Sequence, residues 1–209
     1  MLTGELKNKI DSLWEMFWTG GITNPLDVVE QMTYLMFIHD LDETDAKKAK
    51  SSMMLELPYT SIFEGHDQYK WSVFRDLPAE KMYELMQTEI FPFIKNLGGK
   101  DSGYSKYMAD AIFKIPTPLM LSEIVDAMDT VYEIMEKNPK DDTKGDLYEY
   151  LLNKISQSGI NGQFRTPRHI IKMMVELMQP TLEDTICDPA MGSAGFITTA
   201  AQYITEHYK

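Results

Sequence analysis

The spacing of apolar residues along this chain predicts a mostly helical protein. In the clearest pattern, apolar residues recur three and four positions apart at Leu121, Ile124, Val125, Met128, Val131, Tyr132 and Met135. This repeat places them on one face of an α-helix. Similar spacing at residues 6–17, 28–36 and 82–94 predicts three earlier helices, with glycine pairs at 20–21 and 98–99 ending the first and last of these.

Polar stretches between these patterns predict the connections and the remaining helices. Asn24 followed by Pro25 favours a capped helix start. The charged run 40–50 predicts a solvated turn and helix face. We expect a shorter helix over 104–113 and another over 145–155. The small polar sequence SQSGING at 156–162 predicts a domain boundary.

The last stretch of the chain follows a different pattern. Thr166 and Pro167 predict a helix start with a threonine cap, and the apolar spacing from Ile170 to Met178 continues that helix as far as Pro180. Residues 185–187 are short, apolar and partly β-branched, which predicts a buried strand end. A glycine-bearing loop, 188–196, and a further helix follow at once. Strand, loop and helix in this order are typical of a nucleotide-type pocket in an open α/β sheet.

The residues of this loop indicate which kind of ligand it would bind. Gly192 and Gly195 remove side chains where backbone must approach a ligand, and the following helix supplies free N–H groups. A phosphate-binding loop would carry lysine and then serine or threonine after its glycines, and this one does not. Asp188 instead suits a ligand with an ammonium group, such as the methionine part of S-adenosylmethionine.

Two sequences, GQFRTPR at 162–168 and DPAMGSAGF at 188–196, resemble the cofactor-binding motifs of amino-group DNA methyltransferases, in the order where the threonine–proline motif comes first. Together with GDLYEYLL at 145–152, they resemble more closely the modification subunit of type I restriction–modification systems. One position departs from that pattern, because the family usually has cysteine or alanine where this chain has Met191.

The resemblance implies an enzyme that transfers a methyl group from S-adenosylmethionine to adenine N6 in DNA. Its cofactor site would comprise Gln163, Phe164, Arg165, Thr166, Pro167, Arg168, Asp188, Gly192, Ser193, Ala194, Gly195 and Phe196. The Asn-Pro-Pro-aromatic motif that holds the target adenine in this family does not occur in the sequence. We therefore expect the catalytic residues to lie beyond Lys209 and this fragment alone to be inactive.

The predicted fold class is mainly α, in two parts. Residues 1–160 would form a helical domain that clasps DNA and assembles subunits. Residues 161–209 would be the truncated start of a Rossmann-like α/β methyltransferase domain. The partners that the resemblance implies are DNA, a specificity subunit, a second modification subunit and a restriction subunit.

Charge and composition limit how DNA is held. The net charge is −12, and residues 161–209 carry four basic and five acidic residues, so almost all of the excess lies in residues 1–160. Because an acidic surface does not bind phosphates by itself, either a small basic face or a partner subunit must grip DNA. A single cysteine, Cys187, excludes an internal disulfide, fits a reducing cytoplasm and is expected to be buried. No apolar run is long enough for a membrane span.

Alternative interpretations remain open at this stage. The chain could be a non-catalytic interaction module, or the start of a methyltransferase that acts on proteins or small molecules. The segment 69–75 interleaves basic and aromatic residues, which suits either nucleobase stacking or a short strand or loop packed on the helices. His39 and His66 each have an aspartate neighbour but no further ligand at metal spacing, so we predict no metal site.

Overall fold

A computed structural model describes residues 4–99, 102–137, 143–157, 166–192 and 194–208. The chain divides into two compact units, residues 1–160 and 161–209. The regular structure of the described residues is entirely helical, which confirms the mainly α class. None of the described helices has both the length and the apolar content needed to cross a membrane.

The first unit, called here the helical unit, contains eight α-helices within the described residues. They are α1 (Gly4–Thr19), α2 (Pro25–Met54), α3 (Trp71–Phe74), α4 (Ala79–Leu85), α5 (Phe91–Lys95), α6 (Gly103–Met108), α7 (Pro118–Lys137) and α8 (Thr143–Gln157). A 3₁₀ turn, Asp67–Tyr69, precedes α3, and a π-helical turn, Met86–Ile90, joins α4 to α5.

Helix α2 confirms its predicted start and corrects its predicted course. The side-chain oxygen of Asn24 accepts the N–H of Leu26 at 3.0 Å, and Pro25 begins the helix. The turn predicted within residues 40–50 is wrong, because the helix continues through this charged run to Met54. No glycine or proline interrupts residues 26–57, so nothing in the backbone stops the helix there.

Helix α7 lies at the centre of the helical unit and packs against α1 and α4. All seven residues of its predicted apolar stripe are buried, which confirms the periodicity. Gly20, just after α1, leaves room for the side chain of Met120, since a β-carbon there would overlap the methionine sulfur. On another side of α7, Asp129 accepts the indole N–H of Trp71 at 2.7 Å.

The helix predicted over 82–94 forms, but with a widened turn. Pro92 has no N–H to donate to the carbonyl of Thr88, so the regular hydrogen-bond ladder cannot continue through this point. The π-helical turn Met86–Ile90 accommodates the break, and its Met86 and Ile90 side chains remain buried.

Side chains rather than helix propensity fix the segment after α6. The helix predicted over 104–113 ends early, at Met108. The buried amide of Gln31 donates to the carbonyl of Ile112 at 3.0 Å and accepts the N–H of Lys114 at 2.8 Å. The ammonium of Lys95 bonds the carbonyls of Ala109 and Ala111. Residues 109–117 are therefore anchored to α2 and α5 without being helical.

Helix α8 is joined to the rest of the helical unit by two ionic clusters. Asp11 on α1 accepts hydrogen bonds from Tyr150, at 2.5 Å, and from Lys154, at 2.6 Å. Lys144 lies 2.7 Å from carboxylate oxygens of both Asp40 and Glu43 on α2. The GDLYEYLL sequence thus contributes a helix that packs on the first two helices.

The second unit contains α9 (Arg168–Met178) and α10 (Gly195–His207) among its described residues. Its buried core consists of Ile171, Val175, Ala200 and Tyr203. The strand predicted at 185–187 is not formed: these residues have no regular structure, and Cys187 is exposed rather than buried. A strand needs a hydrogen-bonding neighbour, and no second strand is present in the described part of the chain.

Candidate cofactor site

The threonine–proline turn leads into α9 one residue later than predicted. Pro167 occupies the cap position with extended backbone and no side-chain cap bond, and the helix begins at Arg168. The threonine cap predicted at Thr166 is therefore wrong. The carbonyl of Pro167 accepts the N–H groups of Ile170 and Ile171 at 2.9 and 3.1 Å and so closes the first turn. Thr166 and Pro167 are exposed, whereas Arg168 is half-buried.

The glycine-bearing loop is held by two local bonds. The Oδ1 atom of Asp188 accepts the N–H of Ala190 at 3.0 Å, and the N–H of Ala194 donates to the carbonyl of Met191 at 2.8 Å. Gly192 and Ala194 both have left-handed backbone, with φ of 54° and 60°. For alanine this conformation is strained, and such strain is concentrated at ligand-binding turns. No feature of the amino-acid sequence predicts this strained alanine.

Glycine is favoured at positions 192 and 195 for two different structural reasons. Gly192 has open space around it, since a β-carbon would come no nearer than 3.9 Å to another atom, and it is its positive φ that favours glycine. Gly195 is the first residue of α10, and a β-carbon there would lie 3.0 Å from the Cδ1 atom of Ile171. Glycine at 195 therefore permits close packing of α10 on α9.

This contact joins the first residue of α10 to the first turn of α9. Ile171 lies in the first turn of α9, which begins directly after Pro167. Gly195 is the first residue of α10 and lies near the end of the glycine-bearing loop. Both helices consequently begin at the same end of the pair. Their first turns present N–H groups without intrahelical partners, which carry the positive end of each helix dipole. This end of the pair is a suitable place for an anionic ligand group.

The remaining predicted site residues divide into two groups. Phe196 is half-buried and packs against the small core of the second unit, so packing is one of its roles. Gln163, Phe164, Arg165 and Ser193 lie outside the described residues. The cofactor roles of all twelve site residues stay predictions.

A cluster of metal-ligand type occurs elsewhere, in the helical unit. Atoms of His39, Asp40 and Glu43 lie within 4.8 Å of one another. The ammonium of Lys144 already bonds both carboxylates, and the His39 ring stacks on Tyr132 at 3.6 Å. Burial raises the pKa of Asp40, but the ammonium of Lys144 and the neighbouring His39 ring outweigh it and hold that pKa below its usual value. The cluster is an ion-pair network that already contains its cation.

The segment 69–75, for which nucleobase stacking and structural packing were both open, is largely structural. Tyr69, Trp71 and Phe74 are buried, with 6%, 3% and 0% of their surface exposed. They lie in the 3₁₀ turn and α3, so the packed interpretation is correct, but the element is helical and not a strand.

Comparison with known protein families shows to which family this chain belongs. Residues 6–128 match the family described as HsdM N-terminal domain, and residues 139–209 match the one described as N-6 DNA Methylase. The chain belongs to the HsdM N-terminal domain family. The second match begins just before α8 and includes both motifs of the second unit.

Relatives of this HsdM-type chain are methylase subunits. The type I restriction enzyme StySPI methylase subunit of Salmonella potsdam is 34% identical over 214 residues, which cover 98% of this chain and 36% of that protein. The EcoKI methylase subunit of Escherichia coli K12 is 30% identical over the same coverage. The resemblance to type I modification subunits is therefore confirmed. The chain spans just over a third of the length of these relatives.

A solved structure shares the fold of this HsdM-type chain. The modification subunit of a putative type I restriction enzyme from Vibrio vulnificus YJ016 matches with a TM-score of 0.66 and 20% identity. The match covers 98% of this chain and 46% of that one. At this level of identity the likeness concerns the fold alone.

Proposed function

We propose that this chain is the N-terminal part of a modification subunit that methylates adenine N6 in DNA with S-adenosylmethionine. The observation that supports the proposal is the close approach of Gly195, the first residue of α10, to Ile171 in the first turn of α9. Separate motifs that meet at two helix starts can form the two walls of one ligand site.

The chemistry of the cofactor's methionine end fits this arrangement. Asp188 would accept from the ammonium group, and the N–H groups at the start of α10 would receive the carboxylate. The residues from Gln163 to Arg168 would form the opposite wall. When bound, S-adenosylmethionine supplies an activated methyl group, and transfer to an amine depends mainly on positioning the two reactants. The residues that hold the flipped adenine would follow Lys209.

Exposed apolar side chains support the α/β continuation of the second unit. Helix α9 buries Ile171 and Val175, yet Leu177 and Met178 on the same helix are 76% and 79% exposed. Leu182 is 71% exposed as well. Large apolar side chains that are this exposed and this close in sequence often pack against another element. We propose that further strands and helices of a Rossmann-like domain cover it and supply the partner that residues 185–187 require.

The charge distribution supports a model in which a partner subunit, and not this chain, makes most of the contacts with DNA phosphates. With a net charge of −12, this chain attracts DNA poorly by itself. We propose that a specificity subunit provides most phosphate contacts and that the helical unit serves assembly with it and with a second modification subunit. A restriction subunit would join the same cytoplasmic complex.

A non-catalytic interaction module is the second candidate. The observation that favours it is the contrast between the well-packed helical unit and the two described helices of the second unit. Such a module would bind partners but no methyl donor, so cofactor binding separates the two proposals.

Calorimetric titration with S-adenosylmethionine tests the proposed site. We expect the chain to bind it and Asp188→Asn to weaken binding about tenfold, because a charge-assisted bond to the ammonium is lost. Glu183→Gln is the matched control: this exposed carboxylate lies five residues earlier and has no proposed role. Absence of binding by the wild-type chain, or equal binding by both variants, would contradict the proposed site.

Methyl transfer itself is tested on a longer protein. The chain extended by its following coding sequence and co-expressed with a specificity subunit should transfer labelled methyl groups to DNA and produce N6-methyladenine. Label in protein, or at cytosine, would exclude adenine methylation.

A further inference from the structure

The helical unit contains an open groove of about 620 Å³, and none of its lining residues belongs to the proposed cofactor motifs. Its lining includes Ile62, His66, Tyr69, Glu89, Phe93 and Asn96. The π-helical turn Met86–Ile90 forms part of its wall, and π-helical turns are frequent at functional sites.

Aromatic rings dominate one part of the groove. The ring of His66 stacks on Tyr69 with centroids 4.7 Å apart, and Phe93 lies 5.2 Å from Tyr69. Tyr69 is anchored, since it is buried and its hydroxyl donates to Glu89 Oε2 at 2.9 Å. Burial and this bond both raise the pKa of Tyr69, so its hydroxyl remains a donor. The groove therefore has a fixed aromatic surface beside a carboxylate.

The charge of that carboxylate is not balanced within the described part of the helical unit. No lysine or arginine there forms an ion pair with Glu89, and Glu89 is exposed. Nearby cations have other partners: Lys70 pairs with Asp67 at 2.5 Å, and Lys95 bonds two backbone carbonyls. Residues 56–98 carry seven acidic and four basic residues. The region around the groove thus favours a cationic ligand.

An exposed apolar run leads into the groove. Met53, Met54, Leu55 and Leu57, at the end of α2, are 83%, 72%, 68% and 58% exposed. The following loop reaches Ile62, which is 41% exposed and lines the groove. Methionine-rich apolar surface is typical of sites that bind amphipathic helices.

Hydrogen bonds to a buried carboxylate fix the loop between the apolar run and the groove. The carboxylate of Asp45, which is 5% exposed, accepts hydrogen bonds from Tyr59, Ser61 and the N–H of Ile62 at 2.6, 2.7 and 2.9 Å. Glu56 in this loop has a positive φ of 54°. Strain of this kind persists only when the surrounding contacts enforce it. These bonds hold the part of the loop that carries Ile62 to the groove.

From these features we propose that the groove and the adjoining apolar run dock a basic amphipathic segment of a partner protein. Apolar side chains of the segment would contact Leu57 and Ile62, and a lysine or arginine would lie against the aromatic rings and Glu89. DNA fits poorly, because the region repels phosphate. A second copy of this acidic chain fits poorly for the same reason. The site lies apart from the cofactor motifs in sequence and does not depend on the proposed methylation.

Peptide titration tests this proposal. The probe is a synthetic 18-residue helical peptide with leucines on one face and lysines on the other, and its counterpart has glutamates in place of the lysines. By fluorescence anisotropy at constant ionic strength, we expect the lysine peptide to bind at least tenfold more tightly. Glu89→Gln keeps an acceptor for Tyr69 and should weaken that binding about fivefold, since only the charge is removed.

The controls separate this groove from general acidity. Glu123→Gln removes one exposed charge on α7 and should leave the affinity for the lysine peptide unchanged. Leu57→Ser should weaken this binding, whereas Leu119→Ser, at an exposed leucine outside the groove and the apolar run, should not. Hydrogen exchange should show protection within residues 53–98 on addition of the lysine peptide.

Four results would overturn the proposal. They are equal binding of the two peptides, equal effects of Glu89→Gln and Glu123→Gln, protection elsewhere in the chain, and protection of the groove by duplex DNA or by self-association. None of these measurements involves S-adenosylmethionine, so their outcome is independent of the cofactor titration.

Discussion

The two units of this chain differ in how completely they bury their apolar residues. Among the residues that the structure describes, the helical unit has one core cluster of 32 buried residues, whereas the second unit has a core of four. Helix α7 shows the first condition, with every residue of its stripe covered. Helix α9 shows the second, because its apolar face is broad and only Ile171 and Val175 on it are buried. The first unit covers its apolar stripes internally, while the described helices of the second leave large apolar side chains exposed.

The largest expected effect comes from matched methionines in the two units. Met36 on α2 is 1% exposed and Met178 on α9 is 79% exposed. Met36→Ala should lower the free energy of unfolding by about 3 kcal/mol, because it opens a cavity in a closed core. Met178→Ala should change it by less than about 0.5 kcal/mol.

Two probes are needed for this measurement. The tryptophans Trp14, Trp18 and Trp71 all lie in the helical unit, so their fluorescence during urea unfolding reports on that unit. Circular dichroism follows the helices of both. Equal losses for the two methionines would show that the second unit is as closed as the first.

An intermediate effect is expected at Asp45 in the helical unit. Asp45→Ala leaves Tyr59, Ser61 and the N–H of Ile62 without their acceptor and should cost about 2 kcal/mol at pH 7. Burial raises the pKa of Asp45, but these three hydrogen bonds outweigh it, so its folded-state pKa lies below the ordinary 3.8. A lowered pKa contributes stability above pH 4 that is lost as pH falls through the folded-state value.

The difference between wild type and Asp45→Ala should therefore shrink as the pH is lowered from 7 to 3. Urea unfolding at several pH values, followed by tryptophan fluorescence, measures it. Asp126→Ala, on the exposed side of α7, is the control and should have little effect at any pH. A difference that stays constant with pH would show that the ionised carboxylate is not what holds the loop.

The same contrast explains which parts of the structure the sequence predicted. Periodicity predicted α7 and α9 because a helix with an apolar stripe needs only its own residues to reveal it. The strand at 185–187 was wrong because a strand depends on a neighbour that the local sequence does not contain. The prediction that Cys187 is buried was wrong for the same reason, and its side chain is exposed.

Other features left weaker traces in the sequence. The course of α2 through residues 40–50 was missed because a charged run lacks a stripe, although the absence of glycine and proline could have indicated a continuous helix. Pro92 could have indicated a disturbed turn, but not that it would be π-helical. For the proposed cofactor site, the sequence shows where the two motifs lie, whereas the close contact of Gly195 with Ile171 depends on three-dimensional packing.

The smallest expected effect compares one left-handed glycine in each unit. Gly21 has φ of 96° and Gly192 has φ of 54°, and neither is crowded, so alanine at either position costs only backbone strain of about 1 kcal/mol. In the helical unit this loss is spread over a large cooperative core. In the second unit the same loss acts on a small core, so local opening should increase about fivefold. Hydrogen exchange of α10 in Gly192→Ala, compared with that of α1 and α2 in Gly21→Ala, measures the difference. If both variants change exchange only by global unfolding, the two units unfold together and the smaller core of the second unit does not lower its local stability.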